Sequence, residues 1–144
     1  MTEAQERVAA YNAALERCLA GEAEVHAELA PFLHTDLVWT LPDSVSDMGS
    51  PTRINGREAM LDFLAAGVDG FYRRGSMVFD WTYFAGQGES VTALMTLSAV
   101  TLAGQPYRND YVLLYQLRDG QLFRVNEMFD TAPLRALAAQ AASQ

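Results

Sequence analysis

The stretch "YRNDYVLLYQLRDGQLFRVNEMFD", Tyr107 to Asp130, decides the fold. Asp119-Gly120 separates two runs of alternating character, and an Asp-Gly pair so placed is a strong signal for a tight hairpin turn. Successive side chains of a strand point to opposite faces. Tyr107, Asn109 and Tyr111 therefore share one face of the first run, and Phe123, Val125, Glu127 and Phe129 share one face of the second. Polar and ionisable groups interrupt positions that could all be apolar. They are either the wet face of a sheet or the lining of a pocket.

Working outward, the same period of two begins near Ser76. "MVFDWTYFAG" and "ESVTALMTLSAVTLAG" are two further strand candidates, bounded by turn residues. Upstream the period changes to that of helices. Thr2 to Leu19 places Val8, Tyr11, Leu15, Cys18 and Leu19 on one stripe, with Thr2 as cap. A shorter helix is expected from about Glu22 to Leu33, disturbed by Pro31. "DLVWTLP" reads as a strand stopped by Pro42. The stretch from Asp43 to Asn55 reads as a long loop, either a lid or a rim, and Arg57 to Ala66 as a helix. Pro133 is expected to start a closing helix. The order is an α+β plan: helices gathered on one face of a curved antiparallel sheet.

Bulk properties narrow the partners. The chain of 144 residues suits one domain spanning 1–144, and 50% hydrophobic residues suffice for a core. A net charge of -8 disfavours nucleic acid and anionic membrane surfaces, both of which need a basic footprint. The single cysteine, Cys18, excludes an intrachain disulfide and fits a reducing, cytoplasmic setting. The N-terminus does not read as a signal peptide, and no apolar run is long enough to span a bilayer. His26 and His34 stand in no metal-ligand spacing, and no glycine-rich phosphate loop is present, so neither a metal nor another cofactor is implied.

"PFLHTDLVWTLP", "INGREAMLDFL" and "RDGQLFRVNEMFD", in this order, resemble the SnoaL-like branch of the nuclear transport factor 2-like superfamily. That superfamily includes ketosteroid-isomerase-like and limonene-epoxide-hydrolase-like proteins. The resemblance implies a cone, in which a bent sheet wraps the N-terminal helices and encloses a pocket. It also implies a homodimer formed through the outer sheet face. On this basis Val91, Ala93, Met95, Leu97 and Ala99 are expected to face a partner subunit, with Thr96, Asn109, Tyr111 and Glu127 facing inward. The isomerases' first-strand Asp has no counterpart in Val38, Trp39, Thr40 and Leu41. The epoxide hydrolases' Arg and first Asp fall where this chain has Leu94, Met95 and Thr96. Their first-strand Tyr and Asn fall at Val38 and Thr40. Only the last-strand carboxylate has a match, Glu127.

Glu127 is the sharpest candidate for catalysis. A carboxylate flanked by Val125 and Phe129 would be desolvated, which raises its pKa towards the range of a general acid or base. The alternatives are an Arg-bound structural Glu or a wet edge. Tyr111 and Asn109 can polarise a carbonyl or hold a water, or simply satisfy a core. Thr40, Thr96 and Ser98 are expected to face the substrate, with Val38, Trp39, Phe63 and Phe129 as apolar wall. The expected function is cofactor-free proton-transfer chemistry on an apolar, oxygenated small molecule: isomerisation, cyclisation, dehydration or epoxide opening. The alternative is a dimeric, non-catalytic binder of a hydrophobic ligand.

Overall fold

Thr2 opens helix α1 (Glu3–Leu19) with a reciprocal capping box in the computed structural model, which describes residues 1–142. Thr2 Oγ1 accepts from the Gln5 amide at 3.1 Å, and Gln5 Oε1 accepts from the Thr2 amide at 2.8 Å. Val8, Tyr11, Ala14 and Cys18 recur every three or four residues and are all buried. Helix α2 (Val25–Leu29) is shorter than its spacing suggests. Pro31 lies in a 3₁₀ turn, Ala30–Phe32, and the chain passes directly from it into strand β1 (Leu33–Thr40). That strand begins three residues earlier than the stretch "DLVWTLP", which starts at Asp36.

The stretch from Asp43 to Asn55 is not irregular throughout. It holds a 3₁₀ segment, Asp43–Met48, and a short strand, β2 (Arg53–Asn55). Helix α3 (Arg57–Gly67) follows, then β3 (Val78–Gln87), β4 (Ser90–Val100), β5 (Pro106–Arg118), β6 (Gln121–Phe129) and helix α4 (Thr131–Ala142). Ser44 Oγ and Thr131 Oγ1 are hydrogen-bonded at 2.9 Å, and Arg135 pairs with Asp47 at 3.1 Å. These bonds fasten the segment to α4, away from the interior.

The six strands form one sheet in the order β2-β1-β6-β5-β4-β3. Neighbours run antiparallel except β1 and β6, which are parallel. Asp119 and Gly120 form the β5–β6 turn with φ of 54° and 75°, the left-handed pair that a two-residue hairpin of matching twist requires. Burial alternates along β4 and β5, so each has one interior and one exterior face. The interior faces pack against α1 and α3 in one apolar core.

Register settles which residues share a face. Met95 stands opposite Tyr111 and Leu97 opposite Asn109, and directly paired residues project to the same side. Val91, Ala93, Met95, Leu97 and Ala99 are therefore interior and buried, the reverse of the arrangement expected from the resemblance. Thr96 and Ser98 lie on the exterior, where Thr96 Oγ1 donates to Asp110 Oδ1 at 2.6 Å. The exterior also carries an apolar row across four strands. Tyr83 pairs with Leu94, Leu94 with Val112, and Val112 with Met128. Tyr83, Leu94 and Met128 in that row are exposed.

Candidate active site

The interior face of the sheet, α1 and α3 line a half-open cavity of about 220 Å³. Its wall is largely apolar: Leu15, Met60, Phe63, Leu64, Met77, Phe79, Met95, Leu97 and Leu113. Its polar groups are Tyr11, Asn12, Glu16, Trp39, Tyr72, Trp81, Tyr111, Tyr115 and Glu127. Among the described residues no Arg, Lys or His lines it.

Glu127 reaches the cavity because β6 alternates. It stands opposite Leu113, with Val125 and Phe129 on the same face. It is half-buried and lines the cavity. Removal from bulk water pushes its pKa up to about 7, and the Trp39 indole alone moderates the rise. No cation contributes. A carboxyl poised near neutrality can accept or release a proton at physiological pH.

Two polar hydrogens near it are unclaimed. Tyr11 Oη and Trp39 Nε1 are buried and have no hydrogen-bond partner among the described residues. Trp39 lies close enough to favour the ionised form of Glu127, without meeting hydrogen-bond geometry. Burial, with the nearby Glu127 charge as a lesser cause, pushes the Tyr11 phenol well above its ordinary value. Tyr11 therefore stays neutral and can act only as a donor or acceptor of hydrogen bonds. An unpaired buried donor costs about 1–3 kcal/mol, so a ligand oxygen that satisfies both would be favoured.

A second polar group is fully wired. Asn109 Nδ2 donates to the Asp130 carbonyl at 2.7 Å and to Tyr107 Oη at 3.0 Å. Asn109 Oδ1 accepts from the Asp110 amide at 2.9 Å, which fixes the orientation of the amide. Tyr107 and Tyr111 hydroxyls are 2.9 Å apart. Tyr107 accepts from Asn109 and shares a hydrogen bond with Tyr111 in which either hydroxyl can be the donor. Tyr72 packs against Tyr107 in a tilted arrangement, ring centroids 5.1 Å apart. Burial, reinforced by the neighbouring phenol Tyr107, pushes Tyr111 and Tyr72 far up. Elsewhere in the wall, Tyr115 Oη donates to Asn12 Oδ1 at 3.3 Å, and Trp81 Nε1 donates to Glu16 Oε1 at 3.2 Å.

The structure thus brings Glu127, Tyr111, Trp39 and Phe63 of the expected residues to one cavity. Asn109 is buried but supports Tyr107 rather than lining the space. Phe129 stacks on Tyr111, centroids 5.0 Å apart, without reaching the wall. Val38 and Thr40 alternate with Trp39 onto the exterior, where Thr40 Oγ1 bonds Asn126. They do not contact the cavity, and neither do Thr96 and Ser98. Tyr11, Asn12, Glu16, Tyr72 and Tyr115 were not anticipated as site residues. Tyr11 lay in the apolar stripe of α1, and a phenol in such a stripe is indistinguishable by spacing from a core aromatic. Among the described residues no cluster of His, Cys, Asp and Glu is arranged to hold a metal ion, and no helix is long and apolar enough to cross a membrane.

This fold and cavity define a class. The sequence matches the SnoaL-like domain over residues 8–125, and the chain belongs to that family. The matched span stops just short of Glu127. Solved structures agree on the fold. A nuclear transport factor 2-like protein of unknown function from Burkholderia pseudomallei superposes with a TM-score of 0.77 at 22% identity, covering 96% of this chain and 98% of that one. A protein from Rhodopseudomonas palustris, assigned as an isomerase, gives 0.76 at 18% identity, covering 93% and 96%. One from Jannaschia, assigned as a SnoaL-like polyketide cyclase, gives 0.68 at 15% identity, covering 91% and 92%. Among curated proteins none matches significantly.

Proposed function

We propose that the protein is a cofactor-free enzyme that transfers a proton within an apolar, oxygenated small molecule, with Glu127 as the general base. One observation carries the reading: a carboxyl with a pKa of about 7, in an apolar cavity without a cation, beside two unpartnered donors. In the reaction, Glu127 takes a proton from a carbon next to a carbonyl. The electron pair moves into the C–O bond, and negative charge develops on oxygen. Tyr11 O–H and Trp39 N–H stabilise that oxygen, because each is buried and unpaired among the described residues. Glu127 then returns the proton to a different atom, completing an isomerisation or priming a cyclisation. An engineered apolar cavity of about 150 Å³ accepts benzene, so a space of about 220 Å³ suits one substituted ring.

The test is proton exchange. Cyclohexenone and acetophenone probes in D₂O should exchange their acidic C–H faster with the wild type than with Glu127→Gln, and the rate should rise as pH passes through about 7. Equal rates would remove the catalytic assignment. A non-catalytic binder of an apolar ligand would then stand, a reading favoured by β1, which brings only Trp39 to the cavity and no second carboxylate. We also propose that the subunit pairs with a second copy through the exterior sheet face, where the row Tyr83, Leu94, Val112 and Met128 offers the apolar surface such a contact needs.

A further inference from the structure

Register places polar groups on both sides of Glu127. Along β5 the inward residues run Tyr111, Leu113 and Tyr115, and they stand opposite Phe129, Glu127 and Val125 of β6. Val125 in turn stands opposite Trp39 of β1, and Tyr11 packs near Trp39 with ring centroids 6.4 Å apart. Successive inward residues of a strand are about 7 Å apart. Glu127 therefore occupies a middle level, with Trp39 one step to one side and Tyr111 one step to the other. Tyr72 joins Tyr111 on that other side, its ring against Tyr107. Its segment is tied to the end of β4, where the Arg73 amide donates to the Val100 carbonyl at 2.8 Å. Tyr72 and Tyr111 line the cavity, whereas Tyr107 and Asn109 support Tyr111 from outside it.

We propose that Tyr111, assisted by Tyr72, binds a second oxygen of the substrate. The substrate is then a ring with two oxygen functions: a carbonyl at Tyr11 and Trp39, the acidic carbon at Glu127, and a hydroxyl or second carbonyl at Tyr111. The inference rests on the reading of the cavity as the site of proton transfer. Its own support is a proton count and a rigid mounting. The hydroxyls of Tyr107 and Tyr111 bring two protons to one shared bond, so one proton is left for a third group. When Tyr107 donates, Tyr111 keeps its O–H for a ligand. When Tyr111 donates, its oxygen accepts from a ligand hydroxyl. Asn109 holds the pair in place, since both its amide hydrogens and its oxygen are engaged. Burial keeps Tyr72 and Tyr111 neutral, so they act through hydrogen bonds and not as bases. Tyr111 is thereby a specificity-determining residue: an apolar substituent placed against it would leave a hydrogen-bonding group of the wall unmatched.

The experiment compares 4-hydroxycyclohexanone with 4-methylcyclohexanone, which has nearly the same shape and lacks the second oxygen. Affinities are measured by NMR titration of the full chain. The wild type should bind the hydroxy ketone about tenfold or more tightly. Tyr111→Phe should bring the two affinities to within about twofold of each other. Tyr72→Phe, which leaves the chain from Asn109 through Tyr107 to Tyr111 intact, should lower the ratio by about threefold or more. A purely structural role would weaken both ketones alike and leave the ratio where it was. Equal binding of the two ketones by the wild type would overturn the second oxygen site, as would either variant if it kept the wild-type preference. Glu127-dependent deuterium exchange of 4-methylcyclohexanone would in that case leave the proton-transfer reading standing. Absence of Glu127-dependent exchange with both ketones would overturn that reading, and this inference with it.

Discussion

The two faces of β4 and β5 are built from adjacent residues yet meet different conditions. Met95, Leu97, Tyr111 and Leu113 point inward, where they enclose Glu127 and withdraw it from water. Leu94, Thr96, Asp110, Val112 and Leu114 point outward, where a carboxylate such as Asp110 simply accepts a hydroxyl. A carboxyl therefore meets two different environments on the two sides of the sheet. What raises the pKa of Glu127 is its burial on the inward side of the sheet, set by strand register.

The largest effect should come from the inward carboxyl. Glu127→Gln keeps size and shape and removes the proton acceptor, so turnover of a reactive probe should fall about 10²–10⁴-fold, measured by NMR-detected exchange. Neighbours on β5 then separate the faces by stability. Leu113→Ala, on the buried side, should cost about 2–5 kcal/mol in urea unfolding. Leu114→Ala, on the exposed side, should change subunit stability by less than about 1 kcal/mol.

A third prediction follows from linkage. Folded Glu127 holds its proton up to about 7, against an ordinary value of 4.5. Between those values the folded state binds more protons than the unfolded state, so this group makes stability fall as pH rises. The loss is on the order of 3 kcal/mol, complete above about pH 7. Urea unfolding at pH 4.5 and pH 8 should show the decline in the wild type and a flatter profile in Glu127→Gln. The smallest effect belongs to the exterior. Leu94→Lys should leave the subunit's folding and exchange activity unchanged while weakening self-association by about tenfold or more, read by sedimentation.

Much of this was legible before the coordinates. The Asp119-Gly120 turn, the α1 stripe and the four-strand meander follow from local rules of spacing and turn chemistry, and the structure follows them. Glu127 was legible because a carboxylate alternating with Val125 and Phe129 is anomalous in a strand. What failed was the assignment of β4. Alternation defines two faces but does not say which is interior, and the register of Met95 with Tyr111 decides it. Thr96 and Ser98 were misplaced by that one step, and Val38 and Thr40 by the same ambiguity on β1. Tyr11 was invisible as a donor because its lack of a partner is a property of tertiary packing.

The most direct test of the central claim is the titration of Glu127 itself. The side-chain carboxyl carbon, followed by ¹³C NMR in glutamate-labelled protein and identified by its absence in Glu127→Gln, should titrate with a midpoint of about 7. A midpoint at the ordinary glutamate value of about 4.3 would mean that water or a cation reaches the carboxyl, and would contradict the account of the site.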